Sequence, residues 1–214
     1  MRKIIVSEFL TLDGVMQAPG DPNEDRSGGF DQGGWQLAYF DDVFGQAMTE
    51  SFDLAGAFLL GRRTYDLFAA FWPKQPADDP VAPFMNETPK YVASTTLSEP
   101  LEWQNSTLIK GDVPAELAKL KEQDGKDIMV IGSGELVQTL IANDLVDEFA
   151  LQIHPLILGN GKRLFREETK PIRLELTGSK TTTTGVLINT YRPAGEGGEQ
   201  VAVPIGEEAT SKAS

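Results

Sequence analysis

Residues 127–140 read Asp-Ile-Met-Val-Ile-Gly-Ser-Gly-Glu-Leu-Val-Gln-Thr-Leu, and no other stretch constrains the chain as much. Ile128-Met129-Val130-Ile131 is a short apolar run bounded by polar residues, which predicts a buried strand. Gly132-Ser133-Gly134 turns the chain. Leu136, Val137, Leu140 and Ile141 then recur at helical spacing, so a helix follows. A glycine turn between a strand end and a helix start is suited to an anion. The first N–H groups of the helix are free to donate, and small residues let a phosphate approach the backbone. No Gly-Lys-Ser/Thr follows, so this is not the phosphate loop of a nucleotide triphosphatase. Val137 stands where a dinucleotide fingerprint places its third small residue. The motif by itself leaves an anion site and an ordinary turn both open.

The remaining composition narrows the classes of function. The chain has 214 residues, 40% hydrophobic and 24% charged, which is globular composition for one large domain. With 32 acidic against 19 basic residues the formal charge is -13, and such a surface repels a nucleic-acid backbone. There is no cysteine and one histidine, so disulfides, thiolate zinc sites and paired-histidine metal motifs are excluded. No apolar run reaches the ~20 residues of a membrane span. Met1 to Val6 holds too short an apolar stretch for a signal peptide, and a cytoplasmic protein is the expectation.

Ile4 to Leu10 predicts an opening strand that runs into Thr11-Leu12-Asp13-Gly14. Asp13-Gly14 is either turn chemistry or a carboxylate at the edge of a sheet site. Residues 17–34 form a long Gly- and Pro-containing loop, of a length that often marks lids and binding loops. Asp41 or Asp42 caps a helix with Val43, Phe44, Ala47, Met48 and Phe52 on one face. Ala57 to Leu60 predicts a second buried strand, and Gly61-Arg62-Arg63-Thr64 repeats the strand–glycine–helix logic. Here two guanidinium groups stand at the helix start, either for a phosphate or as solvated surface charges. Trp72-Pro73 ends that helix, and residues 76–89 read as a Pro-rich polar connector. Lys90 to Thr95 predicts a strand, and Ser94-Thr95-Thr96 places three hydroxyls at its end. Thr107 to Ile109 is a short strand, and a helix begins at Asp112-Pro114. Leu145 to Ile153 is the next strand. Residues 172–183 and 186–192 alternate as a terminal hairpin. Residues 194–214 are rich in Gly, Glu, Ala and Ser and predict a largely disordered tail. The order implies an α/β fold with a mixed, mostly parallel sheet, helices on its faces and an antiparallel hairpin last.

In this order the motifs resemble the dihydrofolate reductase-like superfamily. More narrowly, they resemble small stand-alone relatives of the reductase domain of the riboflavin-biosynthesis deaminase/reductase. The resemblance rests on Thr11-Leu12-Asp13-Gly14, Leu59-Leu60-Gly61-Arg62-Arg63-Thr64-Tyr65, Val92-Ala93-Ser94-Thr95, Gly132 to Leu136, Leu145-Val146-Asp147-Glu148 and the run from His154 to Phe165. It covers residues 2–193, leaving 194–214 as an appended tail.

The resemblance implies NADPH as cofactor, a small heteroaromatic or imine-bearing substrate and a homodimer. It implies that Gly61, Arg62, Arg63 and Thr64 hold phosphate at a helix start. Ser94 and Thr95, with Arg62 or Arg63, then meet the adenosine 2′-phosphate. Gly132, Ser133, Gly134, Glu135 and Leu136 cradle the pyrophosphate, with a cis peptide expected between Gly132 and Ser133. Asp13 is the expected catalytic carboxylate, and Trp35, Asp41 and Trp72 are expected around the substrate. Two departures stand out. Residues 45–49 hold no acid where the folate enzymes grip the pterin, and Val137 replaces a tyrosine after the glycine turn. A non-catalytic nucleotide-binding protein on the same fold is the competing expectation.

Overall fold

The computed structural model describes residues 1–76 and 78–195. Eight strands form one sheet in the order β4-β3-β2-β5-β1-β6-β8-β7. They are β1 (Ile4–Thr11), β2 (Ala55–Gly61), β3 (Lys90–Ala93), β4 (Ser106–Ile109), β5 (Asp127–Ile131), β6 (Glu148–His154), β7 (Leu174–Thr181) and β8 (Leu187–Pro193). The first six in sheet order run parallel, and β8 and β7 join antiparallel. Five α-helices connect them: α1 (Asp42–Leu54), α2 (Arg62–Phe71), α3 (Ala82–Glu87), α4 (Val113–Glu122) and α5 (Gly134–Ala142).

Parallel strands covered on both faces must be apolar at every position, and this is why β1, β2 and β5 are nearly unbroken runs of Ile, Val, Leu and Phe. Alternate residues serve two cores. Ile4, Val6, Leu59, Ile128 and Val130 pack against Leu117 of α4 and Val137, Leu140 and Ile141 of α5. Phe58, Leu60 and Met129 point the other way, to Tyr65 of α2, Met85 of α3 and Trp103. Each such side chain removed from water contributes roughly 1.5–3 kcal/mol. The register puts Ile4 opposite Ile128 and Ser7 opposite Ile131, where β1 and β5 part; β1 pairs with β6 as far as Thr11 opposite His154.

Two boundaries differ from the sequence expectation. Residues 82–87 form α3 inside the stretch read as a polar connector. Pro83 sits in its first turn, where a missing N–H costs no helical bond. Strand β6 begins at Glu148, because the Asp147 N–H bonds to the Ile4 carbonyl and Asp147 Oδ2 accepts the Ile4 N–H at 2.8 Å, tying this turn to the start of β1. The expected disordered tail lies outside the described residues from 196 onward. No helix among the described residues is long and apolar enough to cross a membrane.

Candidate functional site

Two strand–turn–helix units, β2–α2 and β5–α5, lie side by side, and their turns are joined. Ser133 Oγ accepts the Gly61 N–H at 2.9 Å and donates to the Ile131 carbonyl at 3.0 Å. Thr64 Oγ1 in turn accepts the Ser133 N–H at 2.9 Å. The Gly132–Ser133 peptide is not cis, contrary to expectation. Gly132 (φ 58°) and Ser133 (φ 57°) make the turn instead with two consecutive left-handed residues. A Cβ at Gly132 would also stand 3.0 Å from Thr64 Oγ1, so both φ and the close approach of α2 require glycine there. Neither helix start is capped by a side chain. The amides at the head of α2 and of α5 therefore remain available to an anion.

Beyond these turns opens a cleft of about 310 Å³, lined by Gly61, Arg62, Ser94, Thr95, Thr96, Gly111, Glu135, Leu136 and Thr139, among others. Arg62 donates to Thr96 Oγ1 at 2.6 Å, and Thr96 Oγ1 lies 3.3 Å from Ser94 Oγ. A guanidinium and two hydroxyls thus converge on one wall. Arg63 does not line the cleft. Its charge acts on Glu135 at the head of α5, so the two arginines divide between the two turns. Glu135 is held below the usual carboxylate range, first by Arg166, which forms a bidentate pair with it at 3.0 and 2.7 Å. Arg166 and Thr139 went unnoticed in the sequence. They reach the site from a distant loop and from one turn into α5, with no local motif to mark them.

Asp13 is a fastener. Its carboxylate accepts from Thr11 Oγ1 (2.6 Å), the Leu158 N–H (3.2 Å), the Gly159 N–H (2.9 Å) and Arg163 Nη2 (3.2 Å). Burial pushes its pKa up, but the hydrogen bonds from Thr11, Gly159 and Leu158 outweigh it and bring the group to about 2. A carboxylate so engaged holds the 12–14 turn to the 158–163 loop and is ionised near neutral pH.

Glu8 is the opposite case. It is 3% exposed, on β1 beside the Gly132 turn, and its Oε1 has no hydrogen-bond partner. Burial drives its carboxyl well above the usual range; the Gly132 N–H pulls it down and neighbouring Glu24 pushes it up. An acid inside a strand that is otherwise buried on both faces was the signal available in the sequence.

The three residues expected around a substrate line neither cleft. Asp41 caps α1 through the Phe44 N–H (2.7 Å), and its other oxygen accepts from Thr183 and Thr184 of the β7–β8 turn. Trp35 is buried, donates to the Gln17 carbonyl at 2.8 Å and stands edge-on to His154. That histidine is fully enclosed by Phe9, Trp35, Tyr39 and Phe44. Trp72 packs with Phe68 and Phe71 near the end of α2. A second cleft, about 240 Å³, lies instead between α1 and the sheet, lined by Ile5, Ala47, Glu50, Ser51, Met129 and Gln152 among others. Glu50 is the carboxylate that α1 presents there, and Gln152 Oε1 is buried without a partner.

The chain is similar to known proteins over most of its length. The chain is 33% identical over 193 residues to the uncharacterized protein YyaP of Bacillus subtilis, covering 89% of this chain and 94% of that one. It is 27% identical over 182 residues to YwjB of the same organism, covering 84% and 91%. Among solved structures it resembles a protein of Shewanella sp. PV-4 assigned to riboflavin biosynthesis, with a TM-score of 0.65 at 24% identity over 90% of this chain and 99% of that one. A pyrimidine reductase-like protein of Corynebacterium diphtheriae superposes with a TM-score of 0.58 at 12% identity, over 90% and 92% of the two chains. The family model of the RibD C-terminal domain matches residues 2–188, and the chain belongs to that family.

Proposed function

We propose that the protein is an NADPH-dependent reductase of a small heteroaromatic or imine-bearing molecule, of the kind reduced in riboflavin biosynthesis. The observation that carries this reading is the pair of stapled, uncapped helix starts opening on a cleft walled by Arg62, Ser94 and Thr96. That donor set matches an adenosine phosphate joined to a pyrophosphate: a fork of N–H donors with hydroxyls for the 2′-phosphate, and backbone amides at Gly134 to Leu136 for the bridge. NADPH supplies the hydride when bound. Gly61, Arg62, Ser94, Thr96 and the amides of Gly134 to Leu136 would hold the dinucleotide's phosphates across the two turns. The substrate occupies the cleft between α1 and the sheet, where Glu50 and Gln152 orient a flat polar ring.

The test is titration of the protein with NADPH and NADH by fluorescence quenching. NADPH is expected to bind tighter by at least about tenfold, and Arg62→Ala is expected to abolish the preference while weakening NADH little. Equal affinities in the native protein refute the assignment of this wall. Binding without NADPH oxidation across pyrimidine, pterin and flavin substrates supports the non-catalytic alternative on the same fold.

A further inference from the structure

Strand β6 has an apolar face and a polar face, and a helix lies over the polar one. Phe149 and Leu151 belong to the core beneath α5, and Ile153 packs against it. The alternate residues Glu148, Ala150, Gln152 and His154 turn to the side of α1. A sheet face covered by a helix is ordinarily apolar, so each polar group there needs a partner. Glu148 meets Lys3 Nζ at 3.4 Å. His154 Nδ1 lies 3.2 Å from the Leu10 carbonyl and 3.0 Å from the Gln152 carbonyl. Its Nε2 has no partner, but the ring is sealed among Phe9, Trp35, Tyr39 and Phe44 and lines no cleft.

Gln152 differs from both. It is 7% exposed, and no group among the described residues donates to its Oε1. Its cross-strand neighbours are Phe9 on β1 and Ile188 on β8, which offer its side chain nothing polar. Unlike His154, it lines the second cleft, where α1 presents the small residues Ala47 and Ser51 and the sheet presents Ile5 and Met129. The charges at this cleft face each other, Lys180 Nζ standing 3.8 Å from Glu50 Oε2. A carboxamide buried in apolar surroundings without a donor destabilises the fold, unless a molecule in the cleft completes it.

We infer that Gln152 is the specificity-determining residue of this cleft: its free carboxamide pairs with a cis-amide edge, an N–H beside a C=O, on the bound ring. The inference rests on the reading of this cleft as the substrate site. A primary carboxamide carries one acceptor and one N–H donor side by side, and a half-turn about its last bond exchanges them. A cis amide is its complement and closes two hydrogen bonds at once. A ring with an alkyl group in place of the N–H leaves the buried acceptor unpaired and is rejected.

The experiment titrates the full chain with lumazine, a bicyclic dione with cis-amide edges, and with 1,3-dimethyllumazine, which lacks both N–H groups. A slightly acidic buffer keeps the ring neutral. The native protein is expected to bind lumazine at least about tenfold tighter, the worth of one or two neutral hydrogen bonds. Gln152→Met keeps the length of the side chain without its amide. It is expected to bind both probes alike, with a melting temperature equal to or above the native one, because the unpaired acceptor is gone. A structural glutamine behaves in the opposite way: its replacement lowers the melting temperature and leaves the probe preference intact, and that result overturns the inference. Unfolding of both Gln152→Met and Gln152→Leu marks a structural glutamine and overturns it as well. So does equal binding of the two probes by the native protein, binding of neither, or a preference that persists in Gln152→Met and is therefore steric. NADPH is titrated in the same samples. NADPH binding without a lumazine preference rejects this inference and leaves the cofactor cleft standing, whereas a Gln152-dependent preference without NADPH binding does the converse.

Discussion

Asp13→Asn separates a fastener from a proton carrier. In the native protein Asp13 Oδ1 accepts from Thr11 and Leu158, and Oδ2 from Gly159 and Arg163. The asparagine oxygen can keep one of these pairs, but its NH₂ then faces the donors of the other. With the oxygen on the Thr11 side, the Gly159 N–H and the Arg163 guanidinium lose their acceptor. A hydrogen bond to a charged group is worth roughly 1.5–3 kcal/mol, and an orphaned backbone donor costs roughly 1–3 kcal/mol when shielded from water. Partial exposure of Arg163 lets water recover some of this, which leaves a loss of about 2–4 kcal/mol. For a domain of this size that corresponds to a fall of about 5–15 °C in melting temperature. The assay is thermal unfolding by circular dichroism, native against variant. The acid's pKa is depressed to about 2, so its contribution is complete above the unfolded value near 4. It disappears as pH falls from about 4 towards 2, and the gap between the two proteins closes over that window. A melting temperature unchanged within about 1 °C at pH 7, together with loss of turnover, would refute the fastener and restore Asp13 as a reacting group.

Two further outcomes test other parts of the structure. Lys90 is buried, donates to the Met85 and Asn86 carbonyls at the end of α3 and lies 4.2 Å from the Trp103 ring centre, and burial pulls its pKa down to about 8. Between about pH 8 and 10.4 the unfolded chain holds more protons than the folded one, so urea unfolding should show native stability rising by up to about 3 kcal/mol relative to Lys90→Met; equal slopes with pH would refute it. Among the described residues strand β7 ends the sheet, and Leu176 is 53% exposed, so a homodimer through this hairpin is expected by light scattering at micromolar concentration, and a monomer there rejects it.

The fold was readable because its strongest signals are local. Unbroken apolar runs at residues 57–60 and 128–131 can only be strands covered twice, and a glycine after each can only turn the chain towards a helix. Helix α3 escaped because a proline in a first turn looks, in sequence, like a proline in a loop. The two strand–glycine–helix turns were readable for the same local reason. Which arginine serves which turn was not, since Arg62 and Arg63 point apart by one residue's rotation and only the position of Thr96 and of Glu135 decides between them.

The two acids of β1 and its following turn show where sequence reasoning stops. Asp13 sits beside a glycine in a motif that suggests chemistry, and Glu8 sits inside an apolar strand. The surroundings of Asp13 reverse that impression. The donors that silence Asp13 come from residues 158–163, nearly the whole length of the chain away, and the same loop spends Lys162, Arg163 and Arg166 on other partners. Glu8 is thereby left without a cation, even though three stand on the loop that closes over this end of the sheet. Burial pushes the Glu8 carboxyl up, while hydrogen bonds from a distant loop hold Asp13 down.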